Sequence, residues 1–191
     1  MMRYVGLYRE LDTNESIMLE NNVLTPTIFK KDVQVKKMIG HEKKEIPVSC
    51  LMANIYLTNK RLMFLIIREV EALILRKKGV PTLSGIEGSW YEIPVSAITR
   101  VEALTKELGK DKELRALIPA LASKKTVSIV EIVYNGQRTS GNFKEYMESM
   151  FDAEGLARMF NLKGVVELAN KVQIVGEQNI SIVPKLKGML S

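Results

Sequence analysis

The sequence predicts a mainly β protein with helical additions: a bent antiparallel sandwich, or partial barrel, capped by a C-terminal helix. Three observations carry this. A strong hairpin pattern spans 50–68, further strand-length apolar runs lie on both sides of it, and an amphipathic stretch at 153–172 follows the last of them. Antiparallel strands followed by one helix cannot make a doubly wound sheet, whereas a bent sheet closed by that helix buries both apolar surfaces. The 191 residues, 46% hydrophobic and 26% charged, suit one domain with additions and exclude a disordered, collagen-like or disulfide-scaffold chain.

Residues 1–14 show no clear periodicity and read as an N-terminal extension. Ile17-Met18-Leu19 opens a short strand that ends near Val23-Leu24, before Thr25-Pro26. Residues 30–44 read as a long basic loop or ragged hairpin: Lys30, Lys31, Lys36, Lys37, Lys43 and Lys44 stand against only Asp32 and Glu42. Leu51, Ala53, Ile55 and Leu57 then alternate as one face of a strand does. Thr58-Asn59-Lys60 offers a turn, since Asn tolerates left-handed backbone geometry, and Arg61 to Ile67 supplies the returning strand.

Arg76-Lys77-Lys78-Gly79 is a basic turn inside a long connection at about 68–88. Trp90 to Ile93 and Ile98 to Ala103 are two short strands, with Pro94 suited to an edge or corner between them. Leu114, Leu117, Ile118 and Leu121 fit the spacing of a short helix within an insertion at about 104–125. Val127 to Tyr134 is β-branched and runs into Asn135-Gly136, a hairpin turn signal. Ala153, Leu156, Ala157 and Phe160 share a helical face, which Val165, Leu168, Ala169 and Val172 continue. Residues 173–191 read as a C-terminal extension, with an added strand pair near Gly176 as an option.

Within this order the segment Ile55-Tyr56-Leu57-Thr58-Asn59-Lys60-Arg61-Leu62-Met63-Phe64 resembles the "LTNKRLIF" hairpin of GRAM and related PH-like domains. Trp90 to Glu102 is similar to the next segment of that family, an aromatic-rich strand followed by "IPL" and "I-x-x-V". The resemblance covers 15–172. It implies a seven-stranded bent sandwich with a C-terminal capping helix, and binding of lipid head groups or protein partners rather than catalysis. In lipid-binding members it places basic residues in the first hairpin loop and at the start of the second strand. Here the loop has the lysines, but Cys50 to Leu57 contains no Arg or Lys. That favours loose attraction to an anionic membrane over a stereospecific inositol phosphate pocket.

Lys30, Lys31, Lys36, Lys37, Lys43 and Lys44, helped by Arg76, Lys77 and Lys78, are therefore the expected lipid- or anion-binding residues, with a solvated loop as the bland alternative. The stripe Leu114, Leu117, Ile118 and Leu121 is the expected contact for a protein partner or a second copy of the chain. No enzyme activity, cofactor or metal is expected. His41 and Cys50 are the sole His and Cys, too few for a zinc site, and a Cys/His pair needs contact and an orienting third group. Nucleic acid is an unlikely partner, because no aromatic residue interleaves the basic stretch. One cysteine and no secretory h-region predict a cytoplasmic chain, soluble or peripheral at a membrane.

Overall fold

A computed structural model describes residues 4–5, 9–36, 38–69, 90–109, 124–135 and 169–191. Strands β1 (Tyr4–Val5) and β2 (Arg9–Glu10) make a small sheet. The main sheet has seven antiparallel strands: β3 (Ile17–Lys36), β4 (His41–Thr58), β5 (Arg61–Glu69), β6 (Trp90–Pro94), β7 (Ile98–Glu107), β8 (Thr126–Asn135) and β9 (Ala169–Val175). They run in the order β6-β5-β4-β3-β9-β8-β7. Helix α1 (Ile182–Leu190) ends the chain.

The two edge strands are consecutive in sequence. Only the 3-10 turn Val95–Ala97 separates Pro94 of β6 from Ile98 of β7. Seven flat strands would hold their edges about 29 Å apart, whereas four residue steps reach at most about 14 Å. The sheet must therefore bend until its edges meet at one corner, though β6 and β7 share no ladder among the described residues. Contacts across the interior follow. The hydroxyls of Tyr91 on β6 and Tyr134 on β8 lie 3.0 Å apart, although five strand spacings separate them along the sheet. Phe29 on β3 meets Phe64 edge-on at 5.7 Å and Tyr91 at 5.1 Å. Burial, and then the Tyr91 ring beside it, push the Tyr134 phenol well above its ordinary value.

Alternation selects what fills this interior. Leu51, Ala53, Ile55 and Leu57 of β4, Leu62, Phe64 and Ile66 of β5, and Val172 and Ile174 of β9 all point inward and are fully buried. Ile182, Val183 and Leu186 of α1 close the core at one end, where the helix packs on β7 and the 95–97 turn. The continuous apolar run of β5 has its own cause. Met63 and Leu65 face the other way and are covered by Leu11, Tyr56 and partly buried Trp90, so this strand is apolar on both faces.

Five expectations change. The strand opening at Ile17 does not end near Leu24 but continues through Pro26 to Lys36. Register slips between Asn21 and Thr25, and there the Asn21 side chain accepts the Val23 N–H while the Thr25 hydroxyl bonds the Val23 carbonyl. These local bonds satisfy backbone groups that the bulge takes out of the ladder. Consequently 30–44 is no loop: its residues pair strand to strand, from Lys30 opposite Pro47 to Lys36 opposite His41. Ala169 and Val172, read as a helical stripe, belong to β9 between β3 and β8, where burial of Val172 and Ile174 imposes a period of two. Helix α1 packs on the core, so β9 and 182–190 are parts of it and not an appendage. Leu104 to Glu107 likewise extend β7, leaving a shorter connection than the insertion expected from 104. Phe160 and the rest of 136–168, the 70–89 connection and 110–123 lie outside the described residues.

Phe29 is the ring that both layers of the bent sheet share. Phe29→Ala should cost about 3–5 kcal/mol of stability, measured by denaturant unfolding; a loss under about 1 kcal/mol would show that the two layers do not meet through it.

Candidate functional site

The residues singled out by the sequence fall into two clusters with different chemistry. The first is the turn Thr58-Asn59-Lys60-Arg61, every member of which reaches the segment 10–16. Asn59 accepts the Ser16 N–H at 2.9 Å and donates to the Asn14 carbonyl at 3.0 Å. Lys60 Nζ donates to the Thr13 carbonyl at 2.9 Å. The Thr58 hydroxyl donates to Glu15 Oε1 at 2.6 Å and accepts the Lys60 and Arg61 N–H groups. Asn14 takes φ 63°, the left-handed geometry that a short amide side chain tolerates.

Arg61 is the centre of this clamp and is buried. Its guanidinium makes a bidentate pair with Glu15, at 2.9 and 2.7 Å, and also bonds Glu92 at 2.9 Å and the Glu10 carbonyl at 2.9 Å. Burial pushes the Glu15 carboxyl up, but the hydrogen bonds from Arg61, Thr58 and the Asp12 N–H outweigh it and hold the group below 4.5. These groups satisfy one another, so the motif that carries the family resemblance acts here as a fastener for the N-terminal segment. Beside it, Glu10, Leu11, Asp12, Thr13 and Lys60 line an open polar depression of about 480 Å³.

The second cluster is the β3/β4 hairpin. Strand β9 accompanies β3 only over Thr27–Lys31, and β5 accompanies β4 only over Leu51–Leu57. Past those limits, among the described residues, Asp32–Lys36 and His41–Glu45 pair only with each other, as a two-stranded arm. Lys36, Lys43 and Lys44 lie on this arm. Lys31 is the last residue of β3 paired with β9, opposite Asn170 at the arm's root, and Lys37 lies outside the described residues. Met38 and Ile39 occupy the arm's turn at 104% and 92% exposure, before Gly40 at φ +81°. Lys30 also stands at the root. Glu45 accepts from Lys30 Nζ and from Lys171 Nζ, each at 2.7 Å, so β4, β3 and β9 are tied together there. Burial raises the Glu45 carboxyl, but the bonds from Lys171 and Lys30 hold it below its ordinary value.

The arm thus carries three of the six expected lysines, Lys36, Lys43 and Lys44, while Lys30 and Lys31 sit at its root beside β9. Sequence reasoning missed Glu45, Lys171, Met38 and Ile39. A pair of apolar residues beside a glycine, inside a lysine-rich stretch, was the available signal for the last two. Arg76, Lys77 and Lys78, and the stripe Leu114, Leu117, Ile118 and Leu121, lie outside the described residues. His41 and Cys50 share β4 nine positions apart, about 30 Å along a strand. Among the described residues no group of three His, Cys, Asp or Glu could hold a metal, and no helix is long and apolar enough to cross a membrane.

Arg61→Leu should cost about 3–5 kcal/mol, because it leaves Glu15 and Glu92 buried without their cation. An unchanged unfolding midpoint would refute that account of the clamp. Glu15 titrates lower in the folded chain than in the unfolded one. Its contribution to stability is therefore complete above about pH 4.5 and is lost as pH falls through the folded value. Glu15→Gln should flatten stability against pH below that point, with Glu45 supplying the dependence that remains; an equally steep acid limb would contradict it.

Compared with models of protein families, with curated proteins and with solved structures, the chain matches none.

Proposed function

We propose that this chain is a non-enzymatic, PH-like binding module whose β3/β4 arm meets an anionic membrane surface. The observation that supports it is positional. Lys36, Lys43 and Lys44 lie on the part of the main sheet that, among the described residues, runs past its neighbouring strands, with Lys31 at its root, so they can reach a planar surface ahead of the body. Basic residues near an anionic leaflet contribute about 1 kcal/mol each, and a ribbon needs no concave pocket to collect that attraction. Seven strands, an LTNKR-type hairpin and a C-terminal helix on the core agree with the PH-like part of the reading.

The alternative is a protein-interaction or self-association module, working through a sheet edge or the 112–122 segment. Co-sedimentation with phosphatidylserine-containing vesicles over a salt series separates the two. Replacing Lys31, Lys36, Lys43 and Lys44 with Ser should leave folding intact and weaken vesicle binding by about 2–4 kcal/mol at low salt, the difference shrinking as salt rises. Lys30 is kept, because removing it would strip a partner from Glu45. Wild-type chain that ignores anionic vesicles at low salt would overturn the membrane reading and leave the protein-docking one in place.

A further inference from the structure

The lysines explain attraction to a charged surface but not the residues at the end of the arm. Met38 and Ile39 are the two most exposed of the large apolar side chains described; the next, Val23, reaches 65%. A Cβ added at Gly40 would touch nothing within 4 Å, so the tip stands in open space on that side. The arm extends about 13 Å from Asp32 to Lys36, by four steps of strand rise, before the tip begins. An unbranched methionine and an isoleucine held at such a point gain nothing from the fold and expose apolar surface to water at a cost.

From this we infer that Met38 and Ile39 are a membrane-insertion wedge: the tip enters the boundary between head groups and acyl chains, and the flanking lysines stop at the phosphates. The inference rests on the membrane reading and adds to it a depth, an orientation and a component of binding that salt does not screen. Three features favour lipid as the occupant. The tip is convex and two residues wide, far short of the roughly 1,000 Å² a specific protein interface requires, whereas fluid lipid closes around a point without shape complementarity. Charge is graded along the arm. Lys36 and Lys37 immediately precede the apolar pair, and Lys43 and Lys44 pair with Gln34 and Val33 further back, which matches a surface that is apolar within and anionic at its face. The arm's backbone groups are also bonded across the ribbon, so entering the interface strands few polar groups beyond those of the turn.

The test uses the full chain, with Ile39→Trp as the reporter and the native Trp90 as an internal reference. Trp90 lies on the edge strand β6 against the Leu11 cluster, away from the arm. With vesicles of phosphatidylcholine and phosphatidylserine, emission from Ile39→Trp should shift to the blue and be quenched by lipids brominated high on the acyl chain. Wild-type emission, from Trp90 alone, should be unchanged. A Met38→Ser/Ile39→Ser variant should keep the wild-type melting temperature and lose roughly tenfold to hundredfold in vesicle partitioning. That ratio should hold at high salt, where the loss from the lysine variant disappears. Vesicle binding with unshifted, unquenched Ile39→Trp emission would overturn the wedge and leave the electrostatic reading standing. No vesicle binding by the wild type would overturn both. Partitioning to duplex DNA, or assembly of copies through the tip, in preference to vesicles would also overturn it.

Discussion

Pro94 and Ile98 sit on opposite edges of one seven-stranded sheet, and three residues join them. Everything else in the fold follows from that short link. A flat sheet cannot satisfy it, so the strands curl until β6 and β7 form a corner, and the curl creates an interior. Phe29, Phe64, Tyr91 and Tyr134 fill it from four different strands. The same bend leaves an end where, among the described residues, the edges meet without pairing, and α1 lies there with Ile182, Val183 and Leu186 turned inward. An open sheet exposes unpaired edge groups; short edge strands and a covering helix limit that exposure.

Bending also decides which strands need cover on both faces. β5 lies next to the edge strand β6, and Met63 and Leu65 on its outer face would be exposed without the N-terminal segment. Leu11 supplies apolar cover, and Arg61 with Glu15 and Glu92 supplies fixed geometry beside it. A buried guanidinium costs solvation that only directional partners recover, so the segment can dock in one register. Apolar contact alone would accept several. A second polar tie works the same way at the far end of the chain: buried Asn21, at the β3 bulge, donates to Asn179 in the turn after β9 at 2.7 Å. Gly176 makes that turn possible, at φ +128°, where an added Cβ would come within 2.5 Å of the Gln178 side chain.

What the sequence revealed depended on whether a signal was local. The β4/β5 hairpin, the β6 and β7 strands around Pro94 and the body of β8 were legible because alternation and turn chemistry lie within ten residues. The length of β3 was not legible. Pro26 and three lysines argue against a strand when read alone, and only pairing with β4 overrides them. β9 was misread because Val165, Leu168, Ala169 and Val172 fit a helical spacing; its neighbours β3 and β8 are distant in sequence, and no local pattern announces them. The same limit hid the Arg61 clamp. Thr58-Asn59-Lys60-Arg61 was recognisable as a turn, but its partners on 10–16 lie more than forty residues upstream and Glu92 lies thirty-one downstream. Of the site, the lysines were visible as composition. That Lys36, Lys43 and Lys44 stand on a ribbon, with Lys30 and Lys31 at its root, required the ladder.

On the proposed reading, the division between clamp and arm separates stability from contact. Among the described residues, the core and the Arg61 network draw on none from 32–44, so the arm's sequence can serve a surface instead of the interior. A projecting ribbon transmits force to its root, however, and a two-stranded ribbon alone is marginal in water. The root is therefore where the arm must be braced. Glu45 bridges Lys30 and Lys171 at that level, and Lys31 pairs with Asn170 one rung away. Both ties engage β9, the strand that joins the two layers of the bent sheet. The arm's direction is thereby set by the sheet itself, and a tip held in a fixed direction can enter a surface without first being ordered. The entropy of orienting it is lost on folding, not on binding, which is the advantage of building the contact on a strand pair and not on a free loop.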